Sequence, residues 1–586
     1  MLSRIGELVQ FDGRSEATYE LSVNQFEQNM HPRGDRHLVS FELGDTAKWT
    51  YQIDNVTIEK ELLVCWGRNI CGVRYSIRCN GRKVRLELLP FVAMRDFHSL
   101  RRGTDVQFQL QSWGNHATIT DRKMCLHLSS ERGTWTQQPF WWYGHVYPVE
   151  AARGMDFKEE LWNPGRFVYE TAEDGQITLW ASTEHIDLPS WEKQLAARVE
   201  GKRQATAALP AGASAAMTRL WRAADDFVVE KTLPNGGVGK TIIAGYPWFA
   251  DWGRDTMIAL PGLLLATRRY REAYEVLETF ATHVDQGMIP NRFDDYTGEP
   301  SYNTVDASLW FIHAAHEYLL ASGDKKGFDE VLLPACRKIV EGYRKGTRFN
   351  IRMDEKDGLI SQGDANTQLT WMDAKCEGIA FTPRQGKPVE INALWFNALM
   401  ILDETELAAQ VRASFVEAFW ISPFRGLADV VNNGGRDTSV RPNQIFAVSL
   451  PHSPLSMDQQ RAVVEVVRRE LLTPYGLRTL SPGDPKYCGR FEGGPRQRDA
   501  AYHNGTVWPW LMGPFLEAYL RANDHSPAAR VQAKAWLAPL LKHLDEACLG
   551  QICEVFDGDA PQRAAGCFAQ AWSVGEVLRL GLVLGV

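Results

Sequence analysis

The spacing of apolar residues changes once along this chain, near residue 200, and that change constrains the fold more than any other feature. Before it, apolar and polar residues alternate: in VRLELL, residues 84–89, Val84, Leu86 and Leu88 are separated by Arg and Glu, and DVQFQLQSW, CLHLSS and QITLWAS follow the same pattern. Alternation with a period of two is typical of strands that bury one face. We therefore predict an antiparallel β-sandwich for residues 1–205.

The segment EGKRQATAALPAGASAA, Glu200 to Ala216, loses the alternation and is rich in Ala, Gly and Pro, so it is predicted to be a linker. After it, apolar residues recur with a helical period of 3.6. About twelve helices are predicted, near 215–232, 254–267, 270–284, 304–322, 327–348, 389–403, 404–419, 442–450, 456–472, 504–522, 526–549 and 569–582. This number permits an (α/α)6 barrel of six helix pairs over residues 206–586, although the pattern alone does not prove that the ring closes. The absence of a βαβ rhythm argues against a parallel sheet.

Composition excludes several classes of function. The net charge of −8 gives no electrostatic reason to expect a nucleic-acid partner. There is no apolar run long enough for a membrane helix or a signal peptide. The ten cysteines include no C-x-x-C pair, which argues against a zinc site or a disulfide framework and favours a reducing, cytoplasmic compartment. We expect neither metal nor cofactor.

The segment PNGGVGKT, Pro234 to Thr241, is similar to a phosphate-binding loop, but that pattern needs Gly where Pro234 stands. It also needs a strand before the loop, whereas the preceding RAADDFVVEKT is predicted to be helical. We interpret the segment as a flexible glycine-rich turn.

The stretch YPWFADWGRDTMIALPG places aromatic and charged side chains in front of an apolar helix. One interpretation is structural: Asp255 caps the helix, and Arg254 pairs with Asp251 at the surface. The other is functional: Arg254 and Asp255 donate to and accept from sugar hydroxyls, while Trp248 and Trp252 supply flat apolar walls. A sugar ring has apolar faces and polar edges, so its site needs both kinds of group.

Two carboxylates are candidates for acid–base chemistry. Asp373 lies in QLTWMDAK, and burial beside Trp371 would raise its pKa and make it a proton donor. Glu554 lies in a short apolar segment before the turn DGD, where Asp557 and Asp559 are predicted turn formers. Taken singly, each candidate can also be an ordinary solvated carboxylate.

The stretch YHNGTVWPW, residues 502–510, permits two interpretations that are compatible. Gly505 would let the backbone approach a ligand lined by His503 and Trp508. Alternatively, the stretch begins a helix, with Asn504 or Thr506 as its cap and Pro509 in its first turn.

Together, WGRDTMIALPG, NTQLTWMDAK, YHNGTVWPWLMGPF and GCFAQAWSVGEVLR resemble, in order, the signatures of the glycogen debranching enzyme family, in the amylo-α-1,6-glucosidase part of its short bacterial and archaeal form. LLPFVAMRDFHSL and PVEAARGMDFKEELWNPGRFVY are similar to the β-rich N-terminal domain of that family. The resemblance extends over nearly the whole chain.

The resemblance implies a β-sandwich followed by an (α/α)6 barrel, with Asp373 as general acid and Glu554 as general base of an inverting hydrolysis. It also implies a set of residues that hold the released sugar: Trp252, Arg254, Asp255, Trp371, Tyr502, His503, Gly505 and Trp508. The implied partner is a branched α-glucan, either glycogen or a limit dextrin. No glucanotransferase part is expected, because 200 residues of strands cannot hold an amylase-type barrel of about 250 residues.

Two other classes remain open at this point. Other (α/α)6 glycosidases, which act on trehalose or terminal α-glucosides, share the Arg–Asp pair and the C-terminal Glu. A non-catalytic carbohydrate-binding protein would keep the aromatic residues but need not keep Asp373 and Glu554. Release of glucose from a branched limit dextrin would distinguish the three.

Overall fold

A computed structural model of the chain describes residues 1–13, 17–103, 106–185, 189–232, 236–294, 296–546 and 549–586. Within these ranges the chain divides into two compact units, Met1–Gln204 and Ala205–Val586. The assignment of 1–205 and 206–586 as separate domains, one supporting and one catalytic, stays a prediction.

The first unit is built almost entirely of strands. Its described residues form β1 (Leu2–Phe11), β2 (Thr18–Glu20), β3 (Val23–Gln25), β4 (Met30–Arg33), β5 (Leu38–Leu43), β6 (Ala47–Ile53), β7 (Val56–Val64), β8 (Ile70–Arg78), β9 (Val84–Val92), β10 (Gln109–Trp113), β11 (His116–Asp121), β12 (Met124–Ser130), β13 (Thr134–Val146), β14 (Lys158–Thr171) and β15 (Gly175–Ser182), with the helices α1 (Pro148–Ala152) and α2 (Trp191–Ala205).

Two antiparallel sheets enclose the core of this unit. One sheet has the strand order β13-β14-β9-β1-β2 and the other β10-β11-β12-β15-β8-β7-β6-β5. Val84, Leu86 and Leu88 of β9 are fully buried in the same apolar cluster as Leu128 and Leu179 of the opposite sheet. Each such side chain contributes roughly 1.5–3 kcal/mol through burial. The predicted antiparallel sandwich is therefore confirmed.

Two local predictions in this region are wrong. The predicted linker begins inside α2, which continues to Ala205. Trp191 is the one residue of α2 that is buried in the described structure, so the helix has no apolar stripe that a periodicity search could detect. The alternating run at 105–113 becomes a strand only from Gln109, and its first residue, Asp105, lies outside the described residues.

The second unit is mainly helical. Its described helices are α3 (Ala215–Asp226), α4 (Gly253–Leu260), α5 (Tyr270–Thr282), α6 (Ala307–Ser322), α7 (Lys325–Gly327), α8 (Leu333–Lys345), α9 (Val389–Ile401), α10 (Thr405–Phe419), α11 (Phe446–Ser449), α12 (Met457–Leu471), α13 (Pro495–Tyr502), α14 (Met512–Ala522), α15 (Pro527–His543) and α16 (Ala571–Leu584). A π-helical turn, Pro261–Leu265, extends α4, and another, Phe328–Leu332, joins α7 to α8.

Six of the described helices form a closed inner ring. In turn, α4 packs on α6, α6 on α9, α9 on α11, α11 on α14, α14 on α16, and α16 on α4 again. The helices α3, α5, α8, α10, α12 and α15 pack against this ring. Every residue of α9 from Val389 to Leu399 is buried, as expected of a helix with neighbours on all sides. The (α/α)6 barrel is confirmed.

Some predicted helices have different ends. The helix predicted for 215–232 stops at Asp226, and the next residues form a hairpin of β16 (Val228–Thr232) and β17 (Val238–Ile242). A strand, β16, therefore precedes the glycine-rich motif, so the prediction that none does is wrong. Lys240 lies in β17 and not at the start of a helix, which still argues against a phosphate-binding loop. Pro234 and Asn235 of the motif lie outside the described residues. The helix predicted for 526–549 ends at His543, and residues 547–548 of it are not described.

The long connections that precede the inner helices contain short strands. They are β18 (Gly245–Tyr246), β19 (Arg292–Phe293), β20 (Pro300–Ser301), β21 (Arg352–Met353), β22 (Ile360–Ser361), β23 (Lys375–Cys376), β24 (Ile379–Ala380), β25 (Lys387–Pro388), β26 (Trp420–Ser422), β27 (Gly426–Leu427), β28 (Val430–Asn432), β29 (Gly435–Asp437), β30 (Leu472–Thr473), β31 (Gly476–Arg478), β32 (Val507–Trp508), β33 (Val555–Phe556), β34 (Ala564–Ala565) and β35 (Ala569–Gln570). Several of these strands join two connections: β18 pairs with β35, β25 with β28, and β32 with β33. The connections that precede neighbouring inner helices therefore meet. In the described part of the chain, no helix is long and apolar enough to cross a membrane.

Candidate active site

Arg254 is buried at the start of α4 and joins two carboxylates. Its Nε donates to both oxygens of Asp306 at 2.8 Å, and its Nη1 donates to Oδ2 of Asp373 at 2.9 Å. Its Nη2 donates to the carbonyl of Leu369 at 3.2 Å. Three of the five guanidinium N–H donors are thus committed to protein acceptors, and Arg254 fixes the loop that carries Asp373.

The structural interpretation of this stretch is wrong for Arg254. Asp251 pairs instead with Lys231, whose Nζ lies 2.5 Å from Oδ2, and accepts a hydrogen bond from Thr241. The N-cap residue of α4 is Trp252, which makes no side-chain cap bond. Asp255 lies in the first helical turn, where the helix dipole favours a carboxylate.

Asp255 is surrounded by the other charged candidates. Burial raises the pKa of Asp255 to about 7; Arg254 opposes the rise, and the carboxylates of Asp373 and Glu554 add to it. Asp255, in α4, is thus within electrostatic reach of Asp373 and Glu554, which come from connections far apart in the sequence.

Asp373 faces an opening. Its side chain keeps 36% of its surface exposed, against 4% for the Arg254 side chain that holds it. Burial raises the pKa of Asp373, while the charge and hydrogen bond of Arg254 lower it and Asp306 raises it again. The direction of this shift is the one predicted from the sequence.

Glu554 directly precedes β33 and is 3% exposed. Its Oε2 accepts the backbone N–H of Cys567 at 2.8 Å, and its Oε1 accepts the hydroxyl of Tyr502. Gly566 has φ +70°, and a Cβ there would collide with Oε2 of Glu554. The hairpin of β33 and β34 therefore holds this carboxylate against a glycine.

The connection from Tyr502 to Trp508 forms an aromatic wall. The ring of His503 lies parallel to that of Trp508, with 5.5 Å between centroids, and at right angles to that of Trp371 at 5.3 Å. Burial and the nearby arginines hold the pKa of His503 well below its usual range, so the imidazole is neutral. Neither of its ring nitrogens has a hydrogen-bond partner among the described residues.

Gly505 is needed for packing. Its φ is +147°, and a Cβ would collide with the carbonyl of Cys488. The Cβ side of Gly505 therefore faces backbone, and the approach of Gly505 to a ligand stays a prediction. The interpretation of Tyr502 to Trp510 as a helix start is confirmed in part: Pro509 begins a 3-10 turn, Pro509–Leu511, that leads into α14. The cap candidates Asn504 and Thr506 are wrong, because both lie before β32 and the N-cap residue is Trp508.

The remaining aromatic candidates, Trp248 and Trp252, lie at the end of the connection that leads into α4. An isolated antiparallel β-bridge joins the backbones of Trp252 and Arg292. The guanidinium carbon of Arg292 lies 6.0 Å from the centroid of the Trp252 indole ring. Trp248 is half-buried and contacts the ring of Phe249. Their contact with a sugar stays a prediction.

Sequence reasoning missed the residues that hold the candidates in place. Trp371 donates its indole N–H to Oδ1 of Asn443 at 2.7 Å, and Asn443 in turn donates to Asp429 at 2.7 Å. Asp429 is held by the buried Arg384. With Asp306, these residues come from the three connections that precede α6, α9 and α11, and none of them has a motif that would have revealed its role.

In the ranges that the structure describes, no group of three or more His, Cys, Asp or Glu side chains is placed to hold a metal ion.

Comparison with known proteins relates both units to one family. Residues 222–579 match the family model described as amylo-alpha-1,6-glucosidase, and residues 1–178 match that of the glycogen debranching enzyme N terminal. A curated relative, the glycogen debranching enzyme of Saccharomyces cerevisiae, is 26% identical over 395 residues, which cover 49% of this chain and 26% of that protein. The chain thus corresponds to about a quarter of the length of that relative.

A solved structure shares the fold. A bacterial glucoamylase complexed with acarbose superposes with a TM-score of 0.59 over 100% of this chain and 89% of its own, at 12% identity. Because the family model alone spans more than half of the chain, the chain belongs to the amylo-alpha-1,6-glucosidase family of glycoside hydrolases.

Proposed function

We propose that this protein releases glucose from α-1,6 branch points of glycogen or a limit dextrin by inverting hydrolysis, with Asp373 as general acid and Glu554 as general base. The observation that carries the proposal is the contrast between two carboxyl groups at one end of the barrel. Asp373 is paired with a buried arginine and partly open, whereas Glu554 is 3% exposed and accepts from a tyrosine hydroxyl and a backbone N–H.

Asp373 suits the acid. A general acid must be protonated before the bond breaks, and burial raises the pKa of this carboxyl. Its exposed edge is free to meet the glycosidic oxygen, while Arg254 fixes the other oxygen at 2.9 Å. The proton passes to the leaving oxygen as the bond to the anomeric carbon breaks.

Glu554 suits the base. A hydroxyl and a backbone N–H both donate to it, and such donors match a carboxylate, which accepts at both oxygens. In an inverting reaction this carboxylate takes a proton from water that attacks the face of the sugar opposite the leaving group. Tyr502, predicted to hold the sugar, is here assigned to holding Glu554 through its hydroxyl.

The sugar would be held by the groups between these carboxylates. Trp371, His503 and Trp508 offer flat apolar faces, and the unpaired ring nitrogens of His503 can serve hydroxyls. Asp255 supplies an acceptor.

A reducing compartment, cytoplasmic as predicted from the sequence, is consistent with the nine cysteines of the described residues, all of which are free.

The deciding experiment supplies a glycogen limit dextrin that bears single glucosyl stubs and measures free glucose, with maltose and trehalose as controls. Preferential release from the limit dextrin is expected. A preference for maltose or trehalose would instead support the glucoamylase-like or trehalase-like alternative, and binding without release would support a carbohydrate-binding protein.

Stereochemistry tests the residue roles independently. Proton NMR of the first turnovers, recorded before mutarotation, should show β-glucose, because water enters opposite to the departing α-linked oxygen. Initial α-glucose would contradict the assignment of Glu554 as a base that acts on water.

A further inference from the structure

Asp499 is a carboxylate that neither the fold nor the proposed chemistry has used so far. It lies on α13 one turn before Tyr502, and residues three apart share one face of a helix. The hydroxyl of Tyr502 reaches Glu554, so this face of α13 is turned toward the active site. Asp499 is neither fully buried nor fully exposed, and among the described contacts its carboxylate has no ion-pair or hydrogen-bond partner.

Helix α13 is tied to the segment that directly follows Asp373. That segment is a hairpin of β23 and β24, Lys375 to Ala380, and α13 packs on β23. Arg496 of α13 pairs with Glu377 at the tip of the hairpin, 3.2 Å apart. The hairpin and α13 thus pack together, and the hairpin begins two residues after Asp373.

The charge of Asp373 reaches Asp499. Burial raises the pKa of Asp499, and the Asp373 carboxylate raises it further. Asp373 keeps 36% of its side chain exposed, and Asp499 is half-buried on the helix that packs on β23, shortly after Asp373. The arginine that neutralises Asp373 is not bonded to Asp499.

We propose that Asp499 and the hairpin Lys375–Ala380 form a binding site for the leaving glucan chain, with Asp499 accepting a hydrogen bond from a hydroxyl of the sugar unit that carries the branch. This inference rests on the proposed function. The acid must touch the oxygen that leaves with the glucan chain, so that chain lies on the Asp373 side of the cavity. A half-buried carboxylate without a cation is suited to neutral hydroxyl donors.

The test compares two substrates that differ only in what leaves. A limit dextrin has a leaving glucan chain, whereas α-glucosyl fluoride releases fluoride and has no sugar on that side. Asp499→Ala should lower kcat/KM for the limit dextrin by about 10–100-fold, the loss expected for a hydrogen bond to a charged group. Hydrolysis of α-glucosyl fluoride should stay within about twofold of wild type.

Asp499→Asn keeps an acceptor oxygen and should recover much of the lost kcat/KM. Asp458→Ala removes a carboxylate that is 97% exposed on α12 and serves as the matched control; it should change neither rate. Equal losses on both substrates would mean that Asp499 only positions Asp373, and no loss on either would mean that it contacts no sugar. Each of these outcomes overturns the proposal.

Failure of the proposed function would be seen separately. If the wild-type enzyme prefers maltose or trehalose to the limit dextrin, the same comparison is made with that disaccharide and α-glucosyl fluoride. A selective loss in Asp499→Ala would still support a site for the leaving group, and its absence would still contradict it.

Discussion

The surroundings of Asp373 and Glu554 differ in the kind of partner that each carboxyl has. Asp373 accepts a hydrogen bond from the charged side chain of Arg254, which also donates to Asp306. Glu554 is held by a hydroxyl and a backbone N–H, and it is 3% exposed. One site leaves an edge of the carboxyl open, and the other encloses it.

This difference corresponds to different chemical demands. A group that gives up a proton must reach a substrate oxygen, so it needs an open edge and a pKa raised by burial. A group that activates water must keep one position throughout, and two donors and a glycine provide that. The four predictions below test this contrast, from the largest expected effect to the smallest.

Removing the enclosed carboxylate should have the largest effect. Glu554→Ala is expected to lower kcat on the limit dextrin by about 10²–10⁴-fold, since no group remains to take the proton from water. Azide, which needs no base, should restore turnover and yield β-glucosyl azide, detected by NMR. Residual hydrolysis near the wild-type rate would remove Glu554 from the mechanism.

Asp373→Asn should separate the two roles. It keeps the size of the side chain but cannot supply a proton, so kcat on the limit dextrin should fall by about 10²–10⁴-fold. On α-glucosyl fluoride, whose leaving group needs no protonation, the loss should be within about tenfold. Similar losses on both substrates would contradict the role of acid.

Gly566→Ala tests whether the enclosure of Glu554 depends on the glycine. The new Cβ would displace Oε2, and we expect kcat to fall about 10–100-fold with little change in KM. Gly323→Ala, after the end of α6, is the matched control: its φ of +70° carries a similar backbone strain of roughly 1–2 kcal/mol, but nothing lies within 4 Å of its Cβ. If both variants lose stability alike and neither loses kcat, the positioning argument is wrong.

Asp255→Asn should lower activity and raise the free energy of unfolding at high pH. Because the pKa of Asp255 is raised to about 7 in the fold, its contribution to stability is complete below its unfolded value near 4 and is lost as pH rises through 7. The variant does not titrate, so at pH 8 its free energy of unfolding should exceed that of wild type by about 1–4 kcal/mol, at about 1.4 kcal/mol for each pKa unit.

Urea unfolding at pH 4.5 and pH 8, with kcat/KM on the limit dextrin, measures both effects of Asp255→Asn. Activity should fall while the stability gain appears only at the higher pH. A variant that is less stable at both values, with normal kinetics, would restrict Asp255 to stabilising the first turn of α4.

Local patterns predicted most of the architecture. The period of two gave β9, β12 and β15, and the period of 3.6 gave the helices of the ring, because burial of one face leaves a periodic signal in sequence. The helix α2 was not predicted because, of its described residues, only Trp191 is buried. The helix α13 was not predicted because it is short and polar and, among the residues described there, buries only Ala501 completely.

The candidate residues were identified from their composition and from the family resemblance, but their contacts were not. Arg254 looked equally suited to Asp251 or to a sugar, and in the fold it binds Asp306 and Asp373. Tyr502 was expected to meet the sugar, and its hydroxyl is bonded to Glu554. A motif identifies which residue is a candidate. It does not identify the hydrogen-bond partner, because that partner belongs to another segment whose distance is set by the fold.

The sequence by itself determined that a sandwich is followed by helix pairs, and it identified two carboxyls and an Arg–Asp pair as candidates. Only the tertiary structure decided that the ring closes, and closure brings Asp255, Asp373 and Glu554 into one electrostatic neighbourhood. The reason is physical: periodicity reports which face of an element is buried, while partners and pKa shifts depend on groups that lie hundreds of residues apart in the chain and only a few ångströms apart in the fold.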